Sequence, residues 1–307
     1  MIRALVFLAA LPLLGQSDRT ISVDEVPGGI FFSADGKTLV TACRDNQVRV
    51  FDVLTGKQVR ARRYGAGGAL LGANRLVERS DKKGVQVWDL TQERLLQLVE
   101  GVPVRGRSAL SSDGKLMAAA DTDSREVQIY DLTSGKRRYV LPDGIGGASQ
   151  LLFSPDGASL VSANFDNDIR IWKTRSGELV RKIENMTGAM FAAQFTPDGK
   201  QLLVAGLDET IYVLDGVTFE KLRAYKGHGE TIAALAVSPD GKTIVTGGFD
   251  VSAISKPVKV VFWDVVSGKV LKTVPAPHRV VSLAFSPDNQ WVAVTAGDKE
   301  ISLLRVR

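Results

Sequence analysis

Cysteine is almost missing from this chain of 307 residues, and histidine is scarce. Cys43 is the only cysteine, so no disulfide can form within the chain and no cysteine-based metal site can be built. Stability must therefore come from packing. The two histidines, His228 and His278, are not accompanied by clustered cysteines or carboxylates, which makes a metal site a weak hypothesis. We expect neither a metal nor a cofactor.

Concentrated charge is also missing. The net charge of +5 is spread along the chain, without a basic tail or a run of five like charges. Nucleic-acid-binding proteins usually gather positive charge on one face. The densest basic group, Arg60, Arg62 and Arg63, lies in a segment that we predict to be a solvated outer strand. We therefore expect no nucleic-acid partner.

The sequence offers no apolar run of membrane-spanning length, but it begins with a shorter one. Ala4 to Leu14 is apolar and is interrupted only by Pro12, whereas a spanning helix needs about 20 residues. Arg3 precedes the run, and small residues follow it at Gly15 and Ser17, as in a secretory signal peptide. We predict a signal peptide at 1–17, one folded domain at 18–307, no membrane span, and a periplasmic or secreted location.

A four-residue turn signal recurs through the chain. Ser154-Pro155-Asp156-Gly157 reappears after 42 residues at Thr196–Gly199 and after another 42 at Ser238–Gly241, with looser copies elsewhere. Apolar segments precede and follow each copy. Repeats of 40 to 45 residues are typical of β-propeller blades.

A second marker keeps the same period. An aromatic or apolar residue followed by Asp ends a β-rich segment in five places, and two further segments have lost the Asp. The second residues of these pairs are Asp52, Asp89, Asp131, Lys173, Asp215, Asp264 and Arg305. The spacing predicts seven units. Within residues 148–184 we predict strands at Gln150–Phe153, Ser159–Ala163, Ile169–Trp172 and Glu178–Ile183.

The stretch from Ser154 through Asp166-Asn-Asp-Ile-Arg-Ile-Trp172 to Gly177 resembles a WD repeat. The resemblance covers nearly all of the chain after residue 20 and implies an all-β, seven-bladed propeller of four-stranded antiparallel blades. It also implies that blades carry a hydrogen-bonded set of His, Ser or Thr, Asp and Trp. One unit keeps all four members: His228, Thr246, Asp250 and Trp263.

The ring can be closed by the beginning of the folded domain. The seventh unit ends after three predicted strands, Val281–Phe285, Trp291–Thr295 and Ile301–Val306. Thr20–Val23 precedes the first inner strand as an outer strand would. We predict that this segment completes the seventh blade and removes an open sheet edge.

The predicted inner strands contain no Asp, Glu, His, Lys or Arg, so a channel enzyme would lack a general base. An interaction scaffold is the leading interpretation. A lactonase-like or quinone-type propeller enzyme, and a sensor for a small ligand or glycan, remain alternatives.

The resemblance places two sets of loops on one face of the propeller. Aromatic, Met and Arg side chains, which are enriched in protein interfaces, occur in these loops. The candidate partner-binding residues are Arg44, Tyr64, Arg105, Arg107, Phe165, Met186, Phe249, His278 and Arg279. We expect a monomer that binds a protein or peptide here.

Overall fold

The computed structural model consists of β-structure in the part of the chain that it describes. That part comprises residues 19–63, 70–72, 75–80, 84–89, 94–102, 107–121, 124, 126–142, 147–184, 186–252 and 256–307. The predicted signal segment, Tyr64 and Arg105 lie outside these ranges. Within them, 28 strands form seven sheets of four antiparallel strands each. The predicted fold is therefore confirmed.

The strands follow one another through the ring, blade by blade. The first, β1 (Arg19–Ser22), belongs to the last blade. The strands of blades 1 to 3 are β2 (Pro27–Phe32), β3 (Thr38–Cys43), β4 (Gln47–Asp52), β5 (Gln58–Arg63), β6 (Leu70–Gly72), β7 (Arg75–Ser80), β8 (Gly84–Asp89), β9 (Arg94–Glu100), β10 (Ser108–Leu110), β11 (Leu116–Ala120), β12 (Val127–Asp131) and β13 (Lys136–Val140).

The remaining blades repeat this order. The strands of blades 4 to 7 are β14 (Ala148–Phe153), β15 (Ser159–Asn164), β16 (Ile169–Lys173), β17 (Leu179–Ile183), β18 (Met190–Phe195), β19 (Gln201–Gly206), β20 (Ile211–Asp215), β21 (Lys221–Tyr225), β22 (Thr231–Val237), β23 (Thr243–Phe249), β24 (Val258–Asp264), β25 (Val270–Ala276), β26 (Ser282–Phe285), β27 (Trp291–Thr295) and β28 (Glu300–Arg305).

Blade 7 is completed by the strand from the other end of the domain. β1 pairs antiparallel with β28, with Ile21 opposite Ile301. Val23 continues the pairing by donating its backbone N–H to the carbonyl of Lys299 at 2.8 Å. The Ile21 and Val23 side chains are buried in a cluster shared with blade 1. The predicted closure is confirmed, with strand bounds one residue earlier than expected.

The core lies between blades rather than inside any one of them. Among the described residues, seven apolar clusters fill the seven contacts between neighbouring blades. Between blades 5 and 6, for example, Leu203 and Val213 pack in one cluster with Leu235 and Trp263. The second strand of a blade is buried along nearly its whole length, as in Gln201–Gly206, because each sheet buries both of its faces against neighbouring blades.

A repeated side-chain network fixes the turn between the first and second strands. In blade 4, Ser154 Oγ donates to Asp156 Oδ1 at 2.5 Å and accepts from the N–H of Ser159 at 2.9 Å. Gly157 adopts a φ of 70°, and Asn289 takes the corresponding place in blade 7 with a φ of 59°. The same Ser-or-Thr to Asp bond occurs in the turns that begin at Ser33, Ser111, Thr196, Ser238 and Ser286.

Candidate interaction face

Because successive strands of a blade run in opposite directions, the loops divide into two faces. We call the face with the second-to-third strand loops and the blade-to-blade loops the upper face. The lower face carries the first-to-second strand turns described above and the third-to-fourth strand turns. Asp264, for example, accepts from the N–H and Oγ of Ser267 at 2.7 Å each on the lower face. Lower-face turns are thus held by their own side chains.

The described candidate residues lie in upper-face loops or at the strand end beside them. Arg44, Arg107, His278 and Arg279 are exposed, and Phe165 is 55% exposed. Met186 and Phe249 are half-buried. They fall into two sectors. Blades 4 to 6 carry the apolar members, and Arg44, Arg107 and Arg279 belong to blades 1, 3 and 7. Their role in binding stays a prediction.

Three phenylalanines from consecutive blades form a continuous aromatic row on the upper face. The Phe165 and Phe191 ring centroids are 6.1 Å apart with an interplanar angle of 66°. The Phe191 and Phe249 centroids are also 6.1 Å apart, tilted by 54°. Both separations lie in the range of favourable aromatic pairs. We call Phe165, Phe191 and Phe249 the aromatic row.

Sequence reasoning identified two members of this row and missed the central one. Phe191 is half-buried at the upper end of inner strand β18. The equivalent position in other blades lies four residues before the last apolar residue of the inner strand. Small residues occupy it in blades 4 and 6, Ser149 and Ala233. A large aromatic residue at that one place was the available signal.

A cationic loop lies beside one end of the row. The backbone N–H of Val280 donates to the carbonyl of Gly248 at 2.8 Å, next to Phe249. Val280 packs so closely over Gly247 that an added Cβ there would meet its side chain at 2.8 Å. The loop with exposed His278 and Arg279 is thereby fixed against the end of blade 6.

The predicted hydrogen-bonded set of blade 6 is formed only in part. Trp263 Nε1 donates to Thr246 Oγ1 at 2.8 Å, and both side chains are fully buried. The His228 ring stacks on Trp263 with centroids 6.5 Å apart, and its Nδ1 lies 3.1 Å from the Glu230 carbonyl. Burial lowers the pKa of His228 from 6.5 to about 4, so the ring is neutral at pH 7.

The prediction that Asp250 forms a hydrogen bond with His228 is wrong. The Asp250 carboxylate accepts instead from the N–H and Oγ of Ser252 at 2.8 and 2.6 Å, and Lys256 Nζ lies 3.6 Å from it. The His228 Nε2 atom has no hydrogen-bond partner within the described part of the chain. The longer loop that follows Asp250 in this blade supplies the competing donors.

Three other blades use the same turn Asp in a different way. Asp45 pairs with Arg49 at 2.6 Å, Asp166 with Arg170 at 2.8 Å, and the Tyr212 hydroxyl donates to Asp208 at 2.5 Å. Each partner lies four residues further along, on the third strand. The hydrogen bonds from Arg49 lower the pKa of Asp45. The i, i+4 spacing was the signal that could have revealed these pairs.

The described inner strands offer little catalytic chemistry. None of the inner strands within the described ranges carries an ionisable side chain. Across the ranges the structure describes, no three His, Cys, Asp or Glu residues are grouped as metal ligands. In the same ranges, no helix has the length and apolarity needed to cross a bilayer. Arg60, Arg62 and Arg63 lie on outer strand β5, where the Arg62 guanidinium is 3.8 Å from the Trp88 ring centroid.

Seven four-stranded sheets closed by an N-terminal strand define a seven-bladed β-propeller. The family model for the WD domain, G-beta repeat, matches residues 13–52, 136–173, 219–250 and 268–303. An uncharacterized WD repeat-containing protein of Synechocystis sp. is 31% identical over 141 residues, which are 42% of this chain and 38% of the relative. The chain thus spans little more than a third of that relative. Together with the seven-bladed fold, the four repeat matches support the resemblance to WD-repeat β-propellers that the sequence predicts.

Proposed function

We propose that this propeller is a non-catalytic scaffold that binds a protein or peptide through its upper face. The observation that carries the proposal is the aromatic row, in which three blades contribute phenylalanines to one surface. Aromatic side chains, Phe included, and Arg side chains are enriched in the cores of protein interfaces. The lack of ionisable side chains on the described inner strands supports a binding role rather than a catalytic one.

We further propose that the protein works outside the cytoplasm. Arg3, the apolar run Ala4–Leu14 and the small residues Gly15 and Ser17 support export and cleavage after Ser17. Fractionation of cells that express a C-terminally tagged chain tests this. The expected result is a periplasmic or secreted protein whose first residue is Asp18. A cytoplasmic protein that keeps residue 3 contradicts it.

Site-specific photo-crosslinking in intact cells tests the binding role. A photoreactive phenylalanine analogue at Phe165 samples the upper face. The same analogue at Leu54, which is 76% exposed on the lower face, is the matched control. We expect one reproducible protein adduct from position 165 and none of it from position 54. The captured protein must then bind the purified propeller directly.

Two results contradict the scaffold proposal. The first is capture of the same partner with equal yield from both positions, since the upper face would then have no special role. The second is a stoichiometric bound metal or robust turnover in a broad hydrolase screen of the purified protein. Either of these would favour a propeller enzyme or a cofactor-binding propeller instead.

A further inference from the structure

We infer that the partner segment of this scaffold is a short peptide with apolar residues next to an acidic one. Its apolar part would lie on the aromatic row, and its carboxylate would pair with Arg279. The inference rests on the proposed binding role of the upper face and adds the chemistry of the occupant. Three observations carry it: exposed apolar surface, the length of the row, and the distribution of unpaired charge.

Exposed apolar side chains lie in the upper-face loops of the same three blades that form the aromatic row. Phe165 is 55% exposed, Leu207 of blade 5 is 42% exposed, and Val251 of blade 6 is 61% exposed. All three belong to second-to-third strand loops of adjacent blades. Grouped apolar surface of this kind marks interaction sites, whereas single exposed apolar residues need no explanation.

The row has the length of a short extended peptide. With centroid separations of 6.1 Å on either side of Phe191, the outer rings lie within about 12 Å of each other, the length of three to four extended residues. Arg279 follows at the Phe249 end, because the Gly248–Val280 backbone bond fixes its loop there. The Arg279 stem extends from there toward the neighbouring loop of blade 7, where its Cγ lies 3.7 Å from the position of a Cβ added to Gly297. A carboxylate beyond the apolar segment would meet the guanidinium in this sector of the upper face.

Most of the acidic groups around the row already have hydrogen-bonding or ionic partners. Asp166 binds Arg170, Asp208 accepts from Tyr212, and Asp250 binds Ser252 and Lys256. Lys182 joins Asp168 and Glu184 at 3.3 and 2.7 Å. These carboxylates are therefore poor sites for a basic partner.

Arg279 has the opposite character. Its guanidinium is exposed and has no hydrogen-bond or ion-pair partner among the described residues. Glu209 and Lys226 are exposed on blades 5 and 6, and their opposite charges leave the net charge around the row unchanged. An Arg fork pairs with a carboxylate through two parallel hydrogen bonds, which favours an Asp or Glu in the partner.

Selection from a random peptide display library on the purified protein tests the inference. We expect selected peptides to carry two or more aromatic or large aliphatic residues adjacent to Asp or Glu. A synthetic copy of the best peptide then serves as the probe in a fluorescence-polarisation assay. Phe165→Ser and Arg279→Ala should each weaken its binding about tenfold, as expected for central contacts.

Charge reversal gives the sharper readout. Selection on Arg279→Glu should shift the enriched residue from Asp or Glu to Lys or Arg. The matched control, Arg175→Glu, makes the same change on the lower face at an exposed position and should leave both affinity and selection unchanged. Thermal denaturation of each variant establishes that it is folded.

The inference is overturned if the selected peptides are basic or uncharged next to their apolar residues. It is also overturned if no peptide depends on both Phe165 and Arg279. Those outcomes leave the scaffold proposal intact when position 165 still crosslinks a protein in cells. Conversely, loss of the position-specific crosslink contradicts the scaffold proposal, whatever the peptides show.

Discussion

His228 is the buried polar side chain whose surroundings oppose its ionisation most clearly. It is 1% exposed, stacked on Trp263, and close to the exposed Lys259, whose charge also lowers its pKa. Because the pKa falls from 6.5 to about 4 on folding, the unfolded chain binds a proton between these values that the folded chain does not. Protein stability must therefore fall as the pH falls through this window.

This linkage predicts a pH effect that one substitution removes. From pH 7 to pH 5 the protein should lose about 2 kcal/mol of unfolding free energy through His228, because the unfolded imidazole is protonated over that range. His228→Phe, which keeps a ring against Trp263, should abolish most of the loss. Urea denaturation at the two pH values measures it. His278→Phe, a change at the exposed histidine, should behave like the unsubstituted protein; equal pH dependence in all three proteins contradicts the assignment.

The Thr246–Trp263 bond is the part of the blade 6 network that contributes to stability. Thr246→Val keeps the shape of the side chain but leaves the buried indole N–H without its acceptor, which should cost about 1–3 kcal/mol. Asp250→Ala should lower the melting temperature far less, since its partners are Ser252 and Lys256. Thermal denaturation compares the two. A larger loss for Asp250→Ala than for Thr246→Val would contradict these observed partners and favour a hydrogen bond between His228 and Asp250.

Roles of individual polar residues were the least predictable part of the molecule. The sequence retained the turn Asp in blades 1, 4 and 5, and its third-strand partner is Arg in two of them and Tyr212 in the third. In blade 6, Ser252 and Lys256 from the longer loop bind Asp250 in place of His228. Such competition depends on loop geometry, which repeat spacing does not contain.

The turn network of each blade acts as a local unit that sets strand register. In blade 4, Ser154 Oγ serves both Asp156 and the N–H of Ser159, and the hydrogen bond from Ser154 lowers the pKa of Asp156. Since Ser154 is 6% exposed, water cannot easily replace its hydroxyl.

Removal of that hydroxyl should therefore be costly. Ser154→Ala should lower the unfolding free energy by about 1–2 kcal/mol, because the partly buried Ser159 N–H loses its acceptor. Ser176→Ala, in an exposed lower-face turn of the same blade with a 3.4 Å bond, is the matched control and should have a much smaller effect. Chemical denaturation compares the pair; equal losses would show that the network has no special weight.

The strands could be predicted because the repeat spacing and the turn residues place the strand ends at the same positions. In blade 4, the predicted Gln150–Phe153, Ser159–Ala163, Ile169–Trp172 and Glu178–Ile183 differ from the observed strands by no more than two residues at either end. Trp291–Thr295 matches its observed strand at both ends. Phe191 was missed for a different reason: a hydrophobic residue in a strand looks like core, and its contacts with two neighbouring blades arise only from the ring.

Closure of the ring links the first strand to the last. A chain that lacks Thr20–Val23 leaves β28 with an unpaired edge and removes Ile21 and Val23 from the contact with blade 1. We expect a large drop in melting temperature. The milder change Ile21→Ala should cost about 2–4 kcal/mol as a large-to-small core substitution. Ser22→Ala, exposed on the same strand, should be close to neutral. An unchanged melting temperature in the shortened chain contradicts the closure.

The pairing of Ile21 with Ile301 also sets a schedule for biosynthesis. The ribosome makes the first of these residues roughly a quarter of a minute to a minute before the second, at about 5–20 residues per second. Throughout that interval the first strand has no pairing partner, because the last strand has not yet been synthesised. Translation products that terminate before the last strand cannot close the propeller. Their unpaired strand edges remain exposed to chaperones and proteases.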